Sequence, residues 1–268
     1  MQKLRIAVLI LTVVSIVASV LLWFRSVKMN VKPEIHCTVE GDINVPSNVT
    51  DAQLLKYVTA TDSKDGDISD RIIVERKNYF ISQGLTSINY AVCDSDNNVA
   101  KIEKHVRFTD YRPPRFSLKS DFIAYVRTTV DFSNFVEAYD VYDGDITDRV
   151  KIISSTYSVA YTGEYEVNCK VTNSFGDTSE ISFNAIVVDD DPDVKKVKLK
   201  DYIIYTTVGN EIDFSANISD AYQLDNGRTL TIDTEELEIN TPGVYSVYYK
   251  VDELVRGRVV VVVEEAQG

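Results

Sequence analysis

Two runs of aspartate are the residues in this sequence best placed to do chemistry. Asp62, Asp65, Asp67 and Asp70 fall within nine residues, from Ala60 to Ile72 in Ala-Thr-Asp-Ser-Lys-Asp-Gly-Asp-Ile-Ser-Asp-Arg-Ile. Asp140, Asp143, Asp145 and Asp148 repeat them 78 positions on (62 to 140), in Ala138-Tyr-Asp-Val-Tyr-Asp-Gly-Asp-Ile-Thr-Asp-Arg-Val150. Clustered carboxylates at a turn suit calcium, which takes ~6–8 oxygen ligands. The spacing is not that of an EF-hand loop, because Lys64 and Gly66 stand where ligands are needed. The same residues also read as a plain turn. Gly66 and Gly144 allow positive φ, and aspartate oxygens accept bonds from nearby backbone N–H groups. The sequence leaves both readings open.

Other chemistry finds less support. A pair such as Asp65 and Asp67 could serve glycoside hydrolysis, but it occurs twice, in a turn, with no cleft-forming domain beside it. His36 and His105 stand alone, and there is no His-Glu-x-x-His, Gly-x-Ser-x-Gly or phosphate loop. Two His and three Cys are too few for a zinc cluster. An enzyme is not expected. A second acidic run, Asp189-Asp190-Asp191-Pro192-Asp193, could hold an ion at a seam. The corresponding stretch Asp110-Tyr-Arg-Pro-Pro-Arg115 is basic, so no general calcium-linker scheme follows.

The elements that must carry these turns are strands. Gly163-Glu-Tyr-Glu-Val-Asn-Cys-Lys-Val171 alternates polar residues with Tyr165, Val167, Cys169 and Val171, the period of two of a strand with one dry face. Gly243-Val-Tyr-Ser-Val-Tyr-Tyr-Lys-Val251 repeats it, and Gly84-Leu-Thr-Ser-Ile-Asn-Tyr-Ala-Val92 holds the same place in the first copy. Ile181, Phe183, Ala185 and Val187 alternate in the same way. Asp51–Tyr57 is one or two turns of helix. Prolines mark the seams at Pro33, Pro113-Pro114 and Pro192, since proline stops strand pairing. The expected division is therefore 33–110, 111–190 and 191–268, each with the six or seven short strands of a two-sheet sandwich.

The acidic motif followed by Gly-x-Tyr-x-Val-x-Tyr/Cys-x-Val resembles the bacterial immunoglobulin-like domains of crystal-toxin and surface proteins. The resemblance covers the first two copies. The third keeps Gly243-x-Tyr245 but has Asp225-Asn-Gly-Arg228 in place of the acidic motif. It implies an all-β chain of three tandem immunoglobulin-like β-sandwiches, of a kind found outside cells as spacers, adhesins and accessory modules. Tyr165 and Tyr245 are candidates for tyrosine corners, each with its ring buried and its hydroxyl bonded to backbone, positioned by Gly163 and Gly243. Tyr202, Tyr205 and Tyr248 could serve as exposed recognition residues or be ordinary filler of Tyr-rich strands. Cys169 reads as a buried thiol; Cys37 and Cys93 share a copy and could pair outside the cell.

Ahead of the repeats, Ile6 to Phe24 runs 19 residues without a charge, about 28 Å of helix against a hydrocarbon core of ~30 Å. It ends in Trp23-Phe24 at headgroup level, then Arg25 and Lys28. The expectation is a cytoplasmic tail (1–5), a transmembrane helix (6–24) and a juxtamembrane linker (25–32). Ala18-Ser19-Val20 is a weak cleavage site, and removal there would make the protein secreted. Thr12, Ser15, Ala18 and Ser19 would permit helix packing. The net charge of −13 argues against nucleic acid, which needs a basic face. The expected function is non-catalytic: a membrane-anchored surface protein for adhesion or for binding an extracellular protein or carbohydrate. A structural component of an envelope complex and a calcium-stiffened stalk are the alternatives. No cofactor is expected beyond possible calcium.

Overall fold

The computed structural model describes residues 2–28, 31–127, 131, 134–158, 160–189 and 196–265, with helix side chains from Val8 to Trp23. The tail side chains, most of the linker, Asp190, Asp191, Pro192 and Asp193 lie outside the described residues. The chain forms two compact units, Met1–Tyr111 and Arg112–Gly268.

Gln2–Lys28 form one helix, α1, over a run with no Gly or Pro to break it. Its described side chains are all exposed. Among the described residues no helix is long and apolar enough to cross a membrane. The stretch expected as a transmembrane helix, Ile6–Phe24, is thus present as a helix, and its described part is not met as a span.

Among the described residues the elements that follow are strands and short helical turns. In the first unit β1 (Glu34–Cys37), β3 (Val58–Asp62) and β4 (Gly66–Asp67) form one sheet. The other sheet has the order β2 (Ile43–Val45), β7 (Val99–Phe108), β6 (Leu85–Cys93) and β5 (Ile73–Lys77), with β2 parallel to β7. Val58 and Ala60 on one sheet and Ile88, Tyr90 and Val106 on the other are buried, as alternation requires. The expected helical turn is α2 (Asp51–Leu54), continued by a 3-10 turn to Tyr57. Thr50 and Gln53 form a reciprocal capping box at its start.

The same strand order recurs in the second unit. β8 (Arg115–Leu118), β10 (Val136–Asp140) and β11 (Gly144–Asp145) make one sheet. The facing sheet is β12 (Lys151–Ser155), β13 (Gly163–Thr172), β14 (Thr178–Val188) and β9 (Ile123–Tyr125), again with a parallel closing pair. Phe116, Leu118 and Ala138 meet Val167, Cys169 and Phe183 in its core. A further sheet follows: β15 (Ile203–Thr207), β18 (Leu254–Glu264), β17 (Gly243–Val251) and β16 (Leu230–Asp233), with β15 parallel to β18. Facing it, the described residues hold a single isolated bridge, Leu199 to Ile218.

The two compact units meet between Tyr111 and Arg112, and the stretches expected as the second and third copies lie in one of them. The reason lies in β18. Val259, Val261 and Val263 fill the core of their own copy, while Val260 and Val262 pack into the core of the preceding one. Ile123, Ile186 and Tyr248 close a small cluster in the same seam. Tyr205 accepts a bond from Phe116 N at 2.8 Å, and Arg115 lies over its ring while pairing with Glu264. Tyr248 is buried here and Tyr202 and Tyr205 are half-buried, which fits the sheet-filler reading and not the exposed recognition surface.

Candidate functional site

The two aspartate runs adopt the same geometry. At the end of β3, Asp62 Oδ1 accepts from Lys64 N and Asp65 N at 2.7 and 2.8 Å. At the end of β10, Asp140 Oδ1 accepts from Tyr142 N and Asp143 N, both at 2.9 Å. Gly66 and Gly144 follow at φ 75° and 74°, a conformation that a Cβ disfavours. Asp67 then accepts from the backbone and hydroxyl of Ser69, and Asp145 from Thr147 N. The Ser69 and Thr147 hydroxyls in turn accept from Ala60 N and Ala138 N, tying each loop back to its strand. Asp70 and Asp148 are exposed at short 3-10 turns.

The central aspartate reaches across to the other sheet. Asp65 accepts from Ser95 N and Ser95 Oγ, each at 2.7 Å, and from Arg71 at 2.8 Å. Ser95 belongs to the hairpin between β6 and β7, so one carboxylate joins the two sheets of its sandwich. Asp143 does the same with Ser174 N (2.7 Å), Ser174 Oγ (2.6 Å) and Arg149 (2.6 Å). Asp140, fully buried, also accepts from Asn173 at 3.1 Å. The hairpins are prepared to donate. Asp94 and Asn173 each accept from two backbone N–H groups of their own turn, which holds the serine N–H outward.

These bonds favour the ionised carboxylates. The Ser95 hydroxyl and N–H, then Arg71, hold Asp65 below its usual range. Burial works against Asp143, but Ser174 and Arg149 outweigh it, and its carboxyl is lowered as well. Asp67 and Asp145 are lowered by Ser69 and Thr147. The donors are protein groups, and among the described residues no three His, Cys, Asp or Glu side chains gather where they could hold a metal.

The Gly-x-Tyr landmarks are backbone anchors. Tyr165 donates to Tyr161 O at 2.9 Å and Tyr245 to Thr241 O at 3.0 Å, each four residues upstream. A Cβ on Gly243 would lie 2.9 Å from the Tyr245 hydroxyl, and one on Gly163 3.7 Å from that of Tyr165; the ring folds over its own glycine. In the first unit Thr86 holds the tyrosine's place and donates to Asn78 O at 2.6 Å. Cys169 is buried and its thiol pushed up to about 11 by that burial. Cys37 and Cys93 are unpaired.

The seam holds functional groups that sequence reasoning missed. Arg258 of β18 is 1% exposed, and none of its side-chain nitrogens has a hydrogen-bond partner among the described residues. Burial lowers its pKa to about 10, against the opposing pull of Tyr248, Asp121, Glu164 and Glu236. Tyr248 is raised to about 12, by burial first and then by Glu164 and Glu236. Asp121 is also buried and raised by burial, with Lys196 opposing. The available signal was the unbroken Val259–Val263 run. A strand apolar on both phases is buried on both faces, so Arg258, on the same phase as Val260 and Val262, had to be buried too.

No family model matches the chain. It is 31% identical over 136 residues to the pesticidal crystal protein Cry22Aa of Bacillus thuringiensis, a match covering 48% of this chain but only 18% of that protein. Among solved structures, the CBM51-2 domain in complex with GlcNAc and INT domains of Clostridium perfringens ZmpB aligns at 16% identity and TM-score 0.25, over 56% of this chain and 26% of that one. Drosophila N-cadherin EC1-4 aligns at 11% identity and TM-score 0.23, over 88% and 76%.

Proposed function

We propose that this protein is a non-catalytic, surface-displayed binding protein, in which immunoglobulin-like sandwiches are held outside the cell by the N-terminal helix. One observation carries the reading. The aspartates that could have formed a reactive or metal site are engaged, in both copies, in joining sheet to sheet. The residues most suggestive of chemistry therefore build a scaffold. The apolar run from Ile6 to Phe24 supports the anchored location, with the N-terminus cytoplasmic and the β-structure outside.

In this reading Arg112–Gly268 acts as one binding element, because its strands share one compact unit. Exposed Ile152 and Ile153 on the edge strand β12 and exposed Tyr161 give this unit apolar surface for a partner. A second reading, assembly into an envelope complex through the helix, has its own support. The described side chains of α1 are exposed, with Thr12, Ser15, Ala18 and Ser19 among them.

The test replaces α1 in the full chain by an unrelated membrane helix and measures cell adhesion and complex recovery. Adhesion that survives the swap supports surface display. Loss of a membrane complex, with the β-structure still protease-accessible on intact cells, favours assembly. A chain that is never accessible to external protease removes the display reading.

A further inference from the structure

We propose that the cavity beside Asp121 in the second unit is a saccharide-binding site. The cavity has a volume of about 590 Å³, within the ~300–1,000 Å³ usual for small-molecule sites. Ser120, Asp121, Lys196, Lys198, Tyr202 and Tyr222 line it. A smaller pocket of about 100 Å³ continues past Ser120, Asp121 and Lys196 between Phe122, Phe135 and Tyr157.

Asp121 is the decisive group. Its side chain is 4% exposed, its Oδ1 lies 3.4 Å from Lys196 Nζ, and its Oδ2 has no hydrogen-bond partner among the described residues. A buried acceptor left unsatisfied is costly, and it lies in the wall shared by both cavities. Lys196 is fixed by a bond to Ile123 O and by the Tyr125 ring 5.5 Å away. The ammonium is thus positioned by the protein, while the carboxylate still has an acceptor to fill.

The chemistry selects the ligand. Asp121 Oδ2 needs a donor, the two lysines need acceptors, and the Tyr202 and Tyr222 rings offer apolar faces. A sugar ring supplies all three at once: hydroxyls that donate and accept, and a C–H face for an aromatic ring. An inorganic anion would meet the Asp121 carboxylate, and a metal cation would meet Lys196. This goes beyond the display reading and does not depend on it, since the cavity lies within one compact unit whether or not the chain is anchored.

The test is saturation-transfer NMR on the full chain in a sugar-free zwitterionic detergent. The probes are free glucose, galactose and N-acetylglucosamine, with glycine as a zwitterionic control. At least one sugar should show transfer, with a Kd on the order of a millimolar for so small a ligand. Asp121→Asn and Tyr222→Ala should each weaken it about tenfold in variants that still unfold cooperatively. If Asp121→Asn does not fold, Lys198→Ala, at an exposed position, should still weaken transfer about threefold. No transfer from any sugar, equal transfer to the variants, or transfer from glycine alone would each overturn the proposal. None of these results bears on protease accessibility at the cell surface, so the two readings fail separately.

Discussion

The stretch expected as the third copy carries a clamp of a different kind: in the first two copies a carboxylate joins sheet to sheet, and here it ties a strand end to a hairpin of the same sheet. In the first two, a carboxylate on the acidic turn, Asp65 or Asp143, takes bonds from a serine on the facing hairpin. In the third the carboxylate is on the hairpin. Asp252 accepts from Thr229 N at 2.9 Å and from Arg228 at 2.8 Å, both at the end of the segment that replaces the acidic motif. Asp252 and Glu253 both have positive φ, 49° and 69°, which makes this a tight two-residue hairpin rather than the longer serine-bearing loop. A short turn has no residue to extend a serine, so the charge moved to the turn and the donors to its partner. What persists across the copies is one charge-assisted bond set between a strand end and a hairpin. The motif spelling does not persist.

The largest effect should come from breaking the more buried clamp. Asp143→Ala removes three donors' shared acceptor at a side chain 9% exposed, and should cost the second unit about 2–3 kcal/mol in a urea titration. Asp252→Ala acts on a side chain 35% exposed and should cost clearly less. Combining Asp143→Ala with Ser174→Ala should add little to the first change. Full additivity would show that Asp143 stabilises its own turn and not the sheet-to-sheet joint.

Replacing the seam's isolated charge should act in the other direction. Arg258 is buried without hydrogen bonds among the described residues, and apolar replacement of poorly compensated buried charge is often stabilising. Arg258→Met should raise the stability of the second unit by about 1–2 kcal/mol. A loss instead would mean that Glu164, Glu236 and Asp121 depend on it more than the guanidinium depends on them. The tyrosine corners come next. Tyr245→Phe and Tyr165→Phe should each cost about 1 kcal/mol, one hydrogen bond. Gly243→Ala should cost at least as much, because its new methyl meets the Tyr245 ring.

How much of this was legible in the sequence differs by region. The acidic turn, the strand alternation through Val167 and Cys169 and the short helix at Asp51 were all readable, because each is set by local spacing. The pairing of Asp65 with Ser95 was not, since 30 residues separate them and only the sandwich brings them together. The seam was half legible. The Val259–Val263 run announces a strand buried on both faces, yet nothing local says which second face covers it. Tyr248 and Arg258 were therefore hidden in the packing of one copy on the next. The Asp252 clamp was the least visible of all, because Asp252 belongs to no motif and acts only where Arg228 is brought to it.

The pH dependence should follow from the same clamps. Asp65, Asp67, Asp143, Asp145 and Asp252 all have folded pKa values below their ordinary ones. Below about pH 4 the unfolded chain binds these protons first, so stability is fully present above that value and is lost as pH falls through the folded pKa values. Urea midpoints should drop between about pH 4 and pH 2. Asp143→Asn should flatten the slope of the second unit and leave that of the first unchanged.

The smallest expected effect separates scaffold from ion site. For calcium to bind at the acidic turns, Asp65 and Asp143 would have to release Ser95, Arg71, Ser174 and Arg149, a set of short charge-assisted bonds to groups already in place. Arg71 and Arg149 would then stand beside the incoming cation and oppose it. A calorimetric titration of the full chain with calcium should accordingly give no binding heat, and the urea midpoints should be the same with calcium or chelator present. Heat that disappears in Asp65→Asn with Asp143→Asn would restore the ion reading for the first two copies. Heat that survives both substitutions would place the ion away from these turns and leave the sheet-joining role of the two aspartates intact.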